Sequence, residues 1–586
     1  MTNFSHLHLP VTAAECRLRG WEYVDVVLVS GDAYIDHPSF GLALIGRVLE
    51  KQGYRVAILA QPRHDIPDDF LRFGKPRLFF GITAGNLDSI VANYSSNGKV
   101  RDFDAYSEGG SPWRGKEQSR VNRKRPDRAT ILYANLARHA YKDVPIILGG
   151  IEASLRRFIH FDYKQNKLRS SVLTDGKADL LIYGMGEKAV TAVAAALQQG
   201  EVPSGVAGSC ERLSNQAFQD FREKVPPEKI TYLPSWTELQ NNKSNFMEAE
   251  LLIDRHARSR SGTILVQQQQ SGWVIQHPSP QPLDSHELDA IYSLPFQRTP
   301  HPTAGDIPAY RMIRHSVTIV RGCSGNCSFC AITRHQGPSI TSRSKESILA
   351  EVKCISAMKD FSGTISDLGG PTANLYGSSC ALGGCKKHDC LFPKVCEHLR
   401  IDENMFIDLL DSTAELAGIK HVFISSGLRM ELLLKTPKLL EKLIASHIPG
   451  SLKIAPEHTE TDLLRLMHKE EHAVLAKFVN HCGTIAKKMK KEVHLTPYVI
   501  TGHPGSNEKS AVLLVTRMKK LRLGVRQFQD FTPTPGTIST AMLVSGLDRN
   551  KKKISIPSQS DKSRQRAIVE ASFHKSSPQK NRKRRK

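Results

Sequence analysis

The chain has 586 residues, 40% of them hydrophobic, enough for several buried cores, and a length prior suggests three or four domains. Lys and Arg outnumber Asp and Glu by 81 to 58, a formal +23 that favours anionic over cationic partners. No stretch approaches the ~20 apolar residues of a membrane span, Met1 to Pro10 lacks the basic-then-apolar order of a secretory signal, and the eleven cysteines cluster instead of spreading as a disulfide framework would. A cytoplasmic protein with metal-bound thiols and no membrane contact is expected.

The first block, residues 1–200, alternates strands and helices. Tyr23-Val24-Asp25-Val26-Val27-Leu28-Val29-Ser30 is a near-continuous apolar run, as in a parallel strand covered on both faces. Leu42, Ile45, Val48 and Leu49 recur at helical spacing before Gly53. Further strands are expected at 55–60, 78–83, 145–150 and 179–184, with helices at 129–141 and 187–199. The pattern is that of a doubly wound α/β domain. From 201 to 310 the signals weaken to a hairpin around Ser271-Gly272 and a proline-rich linker at 278–308, so this stretch reads as a connecting region.

A second block, 311–546, predicts strands at 317–320, 363–368, 421–425, 452–455, 493–500 and 526–531. Helices are expected between them at 345–359, 404–417, 437–446, 461–468, 474–490 and 509–521. Six βα units suit a partial (β/α)6 barrel, in which ligands sit at strand carboxyl ends. After the first of these strands comes Cys323-Ser324-Gly325-Asn326-Cys327-Ser328-Phe329-Cys330. Three thiolates can hold three irons of a four-iron cluster and leave the fourth open for chemistry. A zinc site completed by another ligand, such as His335, is the alternative. Gly369-Gly370, Ser425-Ser426, Glu457, and Ile500 with Gly502 follow at successive strand ends. A second group, Cys380, Cys385, Cys390 and Cys396, lies in an insertion at 376–400 and could hold an auxiliary iron–sulfur cluster or a zinc. The segment 547–586 carries fourteen Lys and Arg from Arg549 onward against Asp561 and Glu570, and reads as a basic disordered tail able to attract nucleic acid nonspecifically.

The three-cysteine spacing, with an aromatic before the last thiol, resembles the radical S-adenosylmethionine (SAM) superfamily. The longer phrases Arg321-Gly322-Cys323 through Gln336-Gly337, Ser342-Arg343-Ser344 and Asp367-Leu368-Gly369-Gly370-Pro371-Thr372-Ala373-Asn374 resemble its YgiQ family, as do Leu294-Pro295-Phe296-Gln297-Arg298 and Ser30 to Gly41. The resemblance implies a [4Fe–4S] cluster on Cys323, Cys327 and Cys330. It also implies reductive cleavage of SAM to a 5′-deoxyadenosyl radical that acts on an unknown substrate. It places SAM against Phe329, Gly369, Gly370, Ser425, Ser426, Glu457, Ile500 and Gly502. An electron donor such as flavodoxin or ferredoxin is a further implied partner. An iron–sulfur sensing protein without turnover, possible on the same scaffold, is the competing class; five complete strand-end motifs favour the enzyme.

The first block resembles the cobalamin-binding-like domain that precedes many radical SAM domains, through Ile147-Leu148-Gly149-Gly150 and Tyr183-Gly184-Met185-Gly186-Glu187. It lacks D-x-H-x-x-G, and Asp36-His37-Pro38 has the residue types at the wrong spacing. Cobalamin itself is therefore not expected.

Overall fold

Val26–Ser30 (β1) is buried at every position, because the strand lies inside a parallel sheet with helices on both faces. The computed structural model describes residues 7–259, 262–383, 385 and 389–573. β1 pairs in parallel with β2 (Val56–Ala60) and β3 (Phe79–Thr83), in registers Val26↔Val56 and Val26↔Phe79. β4 (Ile146–Leu148) and β5 (Leu180–Ile182) extend the parallel half. Helices α1 (Gly41–Lys51) and α3 (Glu187–Gln198) cover one face, and Ala129–Ala140 covers the other. Between them in sequence, the short α2 (Gly150–Leu155) follows β4 directly.

The sheet does not stop near residue 200. β6 (Ser209–Leu213), β7 (Ile230–Tyr232), β8 (Ile264–Gln268) and β9 (Trp273–Gln276) complete nine strands in the order β7-β8-β9-β6-β5-β4-β3-β1-β2. The stretch expected as a connector thus contributes four of the nine strands, with helices between and after them. Its strands are short and partly exposed, so they lack the apolar runs that betray the first five. The hairpin about Gly272 is present as β8 and β9, and α4 (Ser244–Ser259) precedes it.

The second block builds a partial barrel. β10 (Ser316–Thr318) pairs in parallel with β12 (Asp367–Gly369), and β11 (Thr364–Ile365) with β13 (His421–Val422). A parallel bridge from Leu428 to Ile454 leads to β14 (Ser451–Glu457), which joins β15 (His494–Thr501) and β16 (Gln527–Asp530). The strand positions follow one another in chain order around a large apolar core. The short α5 (Ile332–His335) follows the cysteine loop.

Beyond β16, α6 (Ile538–Ser545) packs Ile538, Ala541 and Met542 against Phe246, Met247 and Ala249 of α4, tying the barrel to the first domain. α7 (Gln559–Phe573) then lies on the barrel with Val569 and Gln565 buried. This corrects the expectation of a disordered tail from 547. Dense charge hid the helical spacing of Gln565, Ile568, Val569 and Phe573, which supplies the packed face. Residues 574–586, including the run Asn581 to Lys586, lie outside the described residues.

Candidate active site

The cysteine loop begins where β10 ends. Arg321 is anchored by a buried ion pair to Glu187 of α3, 2.5 Å long. Gly322 takes φ +80°, and a Cβ there would strike the Ser339 carbonyl at 1.8 Å, so the turn into the loop requires glycine. Cys323 is buried, 3.6 Å from the Thr372 hydroxyl. Arg429 Nη2 approaches Cys327 Sγ at 3.2 Å and its Nη1 bonds Glu431 at 3.1 Å. Gly325 makes room for that guanidinium, because a Cβ would lie 2.2 Å from Nη2. Burial, with Cys327 and Cys323 close by, pushes the Cys330 thiol up to about 12. The three cysteines thus lie together on one short loop, where each thiolate could take one iron.

Among the described residues, no group of three or more His, Cys, Asp or Glu is arranged to hold a single metal ion. A cubane differs, because each thiolate takes its own iron. His335, the alternative zinc ligand, turns away: its Nδ1 meets Ser154 Oγ of the first domain at 3.0 Å.

Beside the loop is a group of buried charged side chains of which the sequence disclosed only Glu457. Lys469 and Glu470 pair at 3.1 Å while both are buried. Glu457 ends β14 at a register shift, with φ +62°. Its Oε2, and that of Glu431, are buried without a hydrogen-bond partner. Burial pushes the Glu457 carboxyl up to about 7 against the pull of Lys469. Backbone in the left-handed region at a bulge, together with orphaned carboxylate oxygens, is how binding sites store strain and polarity. The sequence signal for Lys469-Glu470 was a charged pair set directly after an apolar helix.

The other expected SAM contacts divide. Phe329 and Ile500 share a small apolar cluster with Leu463, Met467 and Phe531 beside the loop. Ser425 and Ser426 are engaged by Asp367, whose Oδ1 accepts both backbone N–H groups at 2.8 and 3.0 Å and whose Oδ2 accepts the Ser426 hydroxyl. They lock β12 to the β13 strand end. A Cβ on Gly369 would collide with Ser426 Oγ, and one on Gly370 with the Val320 carbonyl. Gly502 is covered by α7: its N–H donates to Gln565 at 3.1 Å, and the Lys562 stem lies over it.

The second cysteine group folds over the first. Burial, then Cys396, Cys385 and Cys380, push the Cys390 thiol up to about 12, so the four thiols lie near one another. Cys390 shares a small apolar cluster with Cys323, and its N–H reaches the Ser324 carbonyl at 3.4 Å. His468 fastens the insertion, meeting Asn326 O at 2.9 Å and Asp389 at 3.4 Å. Lys386 to His388 lie outside the described residues.

A cavity of about 520 Å³ separates the two blocks. Asp32, Gly85, Gly149, Gly150 and Gly184 line it from the strand ends of the first sheet; Arg321, Gly370 and Pro371 line it from the barrel. It opens beside β1, where the sheet order reverses, the ligand position of doubly wound sheets. An apolar arm reaches in past Leu28, Phe79, Ile147 and Val190.

Residues 8–316 match the model of the radical SAM N-terminal domain, and 317–516 that of the radical SAM superfamily. A UPF0313 protein of Thermotoga neapolitana is 44% identical over 552 residues, 92% of this chain and 94% of its own. One of Clostridium botulinum is 41% identical over 579 residues, 97% and 87% respectively. Among solved structures, the radical SAM methyltransferase TsrM of Kitasatospora setae, with cobalamin and a [4Fe–4S] cluster bound, aligns with 87% of this chain and 76% of its own. The TM-score is 0.50 at 14% identity, a likeness of fold. The expectation against cobalamin is overturned by this finding: a protein of this two-domain fold carries cobalamin beside the cluster. The missing D-x-H-x-x-G removes one axial ligand; it does not remove the glycine-edged cavity.

Proposed function

We propose, for a chain that belongs to the UPF0313 family of radical SAM enzymes, that it is a cobalamin-dependent alkyl transferase with its cluster on Cys323, Cys327 and Cys330. The observation that carries this reading is the common wall: the barrel turn Gly370-Pro371 and the sheet turn Gly149-Gly150 line one cavity. When bound, the cluster supplies an electron for SAM cleavage and cobalamin supplies a cobalt centre that can carry an alkyl group.

The chain's residues do the rest. Arg429 places positive charge against Cys327 and holds that side chain. Glu457, able to hold a proton near neutral pH, offers an acceptor or donor to the ribose, while Phe329 and Ile500 supply an apolar surface for the base. Gly149 and Gly150 let a corrin approach the backbone, and the apolar arm excludes water. We assign a metal centre of its own to Cys380, Cys385, Cys390 and Cys396. A flavodoxin or ferredoxin is the proposed reductant, and the basic stretch after 573 the proposed nucleic-acid contact. No helix among the described residues is long and apolar enough to cross a membrane.

The test is anaerobic reconstitution with iron, sulfide and cobalamin. The expected result is one equivalent of retained cobalamin and an electron paramagnetic resonance spectrum that changes when SAM is added. Failure to retain cobalamin sinks the transferase reading; a spectrum indifferent to SAM sinks the open-iron assignment.

A further inference from the structure

A second cavity of about 300 Å³ adjoins the first and shares Gly184, Glu187, Arg321, His335 and Gln336 with it. Residues 278–282, Pro-Ser-Pro-Gln-Pro, form part of its rim, an edge stiffened by three prolines. Four cations and one carboxylate line it. Three of the cations have partners: Arg321 with Glu187, Arg334 with Asp254 and Lys188 with Glu287.

Arg157 is the exception. Its side chain is buried, with 5% of the residue exposed. Nε donates to Gln276 Oε1 at 2.6 Å, and Nη1 donates to the Ser154 carbonyl. The guanidinium stands 5.0 Å from the Tyr183 ring. Among the described residues no carboxylate pairs with it, and Nη2 has no hydrogen-bond partner. Burial draws its pKa below the ordinary guanidinium range; Cys210 and Tyr183 oppose this, Arg334 adds to it, and the buried Glu250 opposes it without forming an ion pair. Buried charges are held in proteins when something pairs with them. Here the neutral groups Gln276, Ser154 and Tyr183 aim the side chain without neutralising it.

We propose that this cavity binds an oxyanion, a carboxylate or a phosphate group of the substrate, on Arg157 Nη2. The shared wall then sets the remainder of that molecule beside the larger cavity. The assignment to substrate rests on the proposed function; binding of the anion does not.

Thermal melting of the reconstituted protein tests it, in sodium phosphate, sodium acetate and sodium chloride at matched ionic strength. At least one oxyanion should raise the melting temperature saturably above the chloride value. Response to phosphate alone assigns a phosphorylated ligand, and response to acetate alone a carboxylate. Arg157→Gln should abolish the rise. Arg157→Lys, which keeps the charge, should raise the half-saturating concentration at least tenfold, and it decides the matter if the glutamine variant does not fold. No stabilisation over chloride, or an undiminished response in the folded variants, overturns the site. Cobalamin absorbance and the SAM-dependent spectrum, recorded on the same samples, report the proposed function separately.

Discussion

The Arg429 guanidinium stands 3.2 Å from the Cys327 sulfur with its side chain 13% exposed. A positive charge there favours the extra electron of a reduced cluster. At an effective dielectric near 20 and a separation of some 6 Å, the interaction is worth about 100 mV. Arg429→Met should lower the cluster midpoint by that order, read by redox titration, and leave the iron content near that of the parent. Glu457 gives a pH prediction. Folded, it takes its proton near 7; its ordinary value is 4.5. The folded chain therefore holds an extra proton between those values. Stability is full below 4.5 and falls as the pH rises to about 7, by up to about 3 kcal/mol. Glu457→Gln should melt higher than the parent at pH 8 without SAM and gain nothing at pH 4.5.

At the scale of the element, the final helix and the cysteine-rich insertion carry separate predictions. Ending the chain after Asp548 removes α7 with its buried Val569, and the Arg549 contacts to Ser328 and the Asn326 carbonyl at 3.4 Å. The cost should be at least about 2 kcal/mol, visible as a lower melting temperature and faster loss of iron. Ending it after Phe573 should leave melting unchanged and weaken any salt-sensitive nucleic-acid binding. Replacing Cys323, Cys327 and Cys330 together should leave metal on the second cysteine group, measured by elemental analysis. These elements also show what the sequence disclosed. The five parallel strands were legible because burial on both faces forces apolar runs, and the barrel because its helices keep their spacing. β6 and β7 were not: β7 is a partly exposed edge strand, and β6, though interior, carries Glu211 and Arg212 with three of its five residues not fully buried. Nor was α7, whose charges mask a narrow packed stripe. The cysteine loop was legible because thiolates admit few substitutes; Arg429 and Lys469 were not, because their role depends on neighbours remote in sequence.

At the scale of the molecule, the two blocks are joined by ions at the active site as well as by apolar packing. Arg321 with Glu187 and Arg334 with Asp254 cross from the cysteine segment to the first domain. Both cavities lie along that seam. Filling the larger one should separate the two cofactors. A Cβ on Gly149 meets nothing nearer than the Ile182 carbonyl at 4.0 Å, and its φ of −156° suits any residue. Gly149→Leu should fold normally, keep its iron, and retain cobalamin at least tenfold less well, followed by absorbance after gel filtration.

The placement of α7 also bears on how the protein is made. Gln565 caps the Gly502 turn and Arg566 pairs with Asp530 of β16 at 3.1 Å, so the last strands of the barrel are finished by residues that leave the ribosome after the strands themselves. A nascent chain that ends between the last barrel strand and α7 has its cysteine loop synthesised and the Gly502 turn uncapped. The covering of these strand ends is thus the last step of the barrel's assembly, completed only when α7 docks.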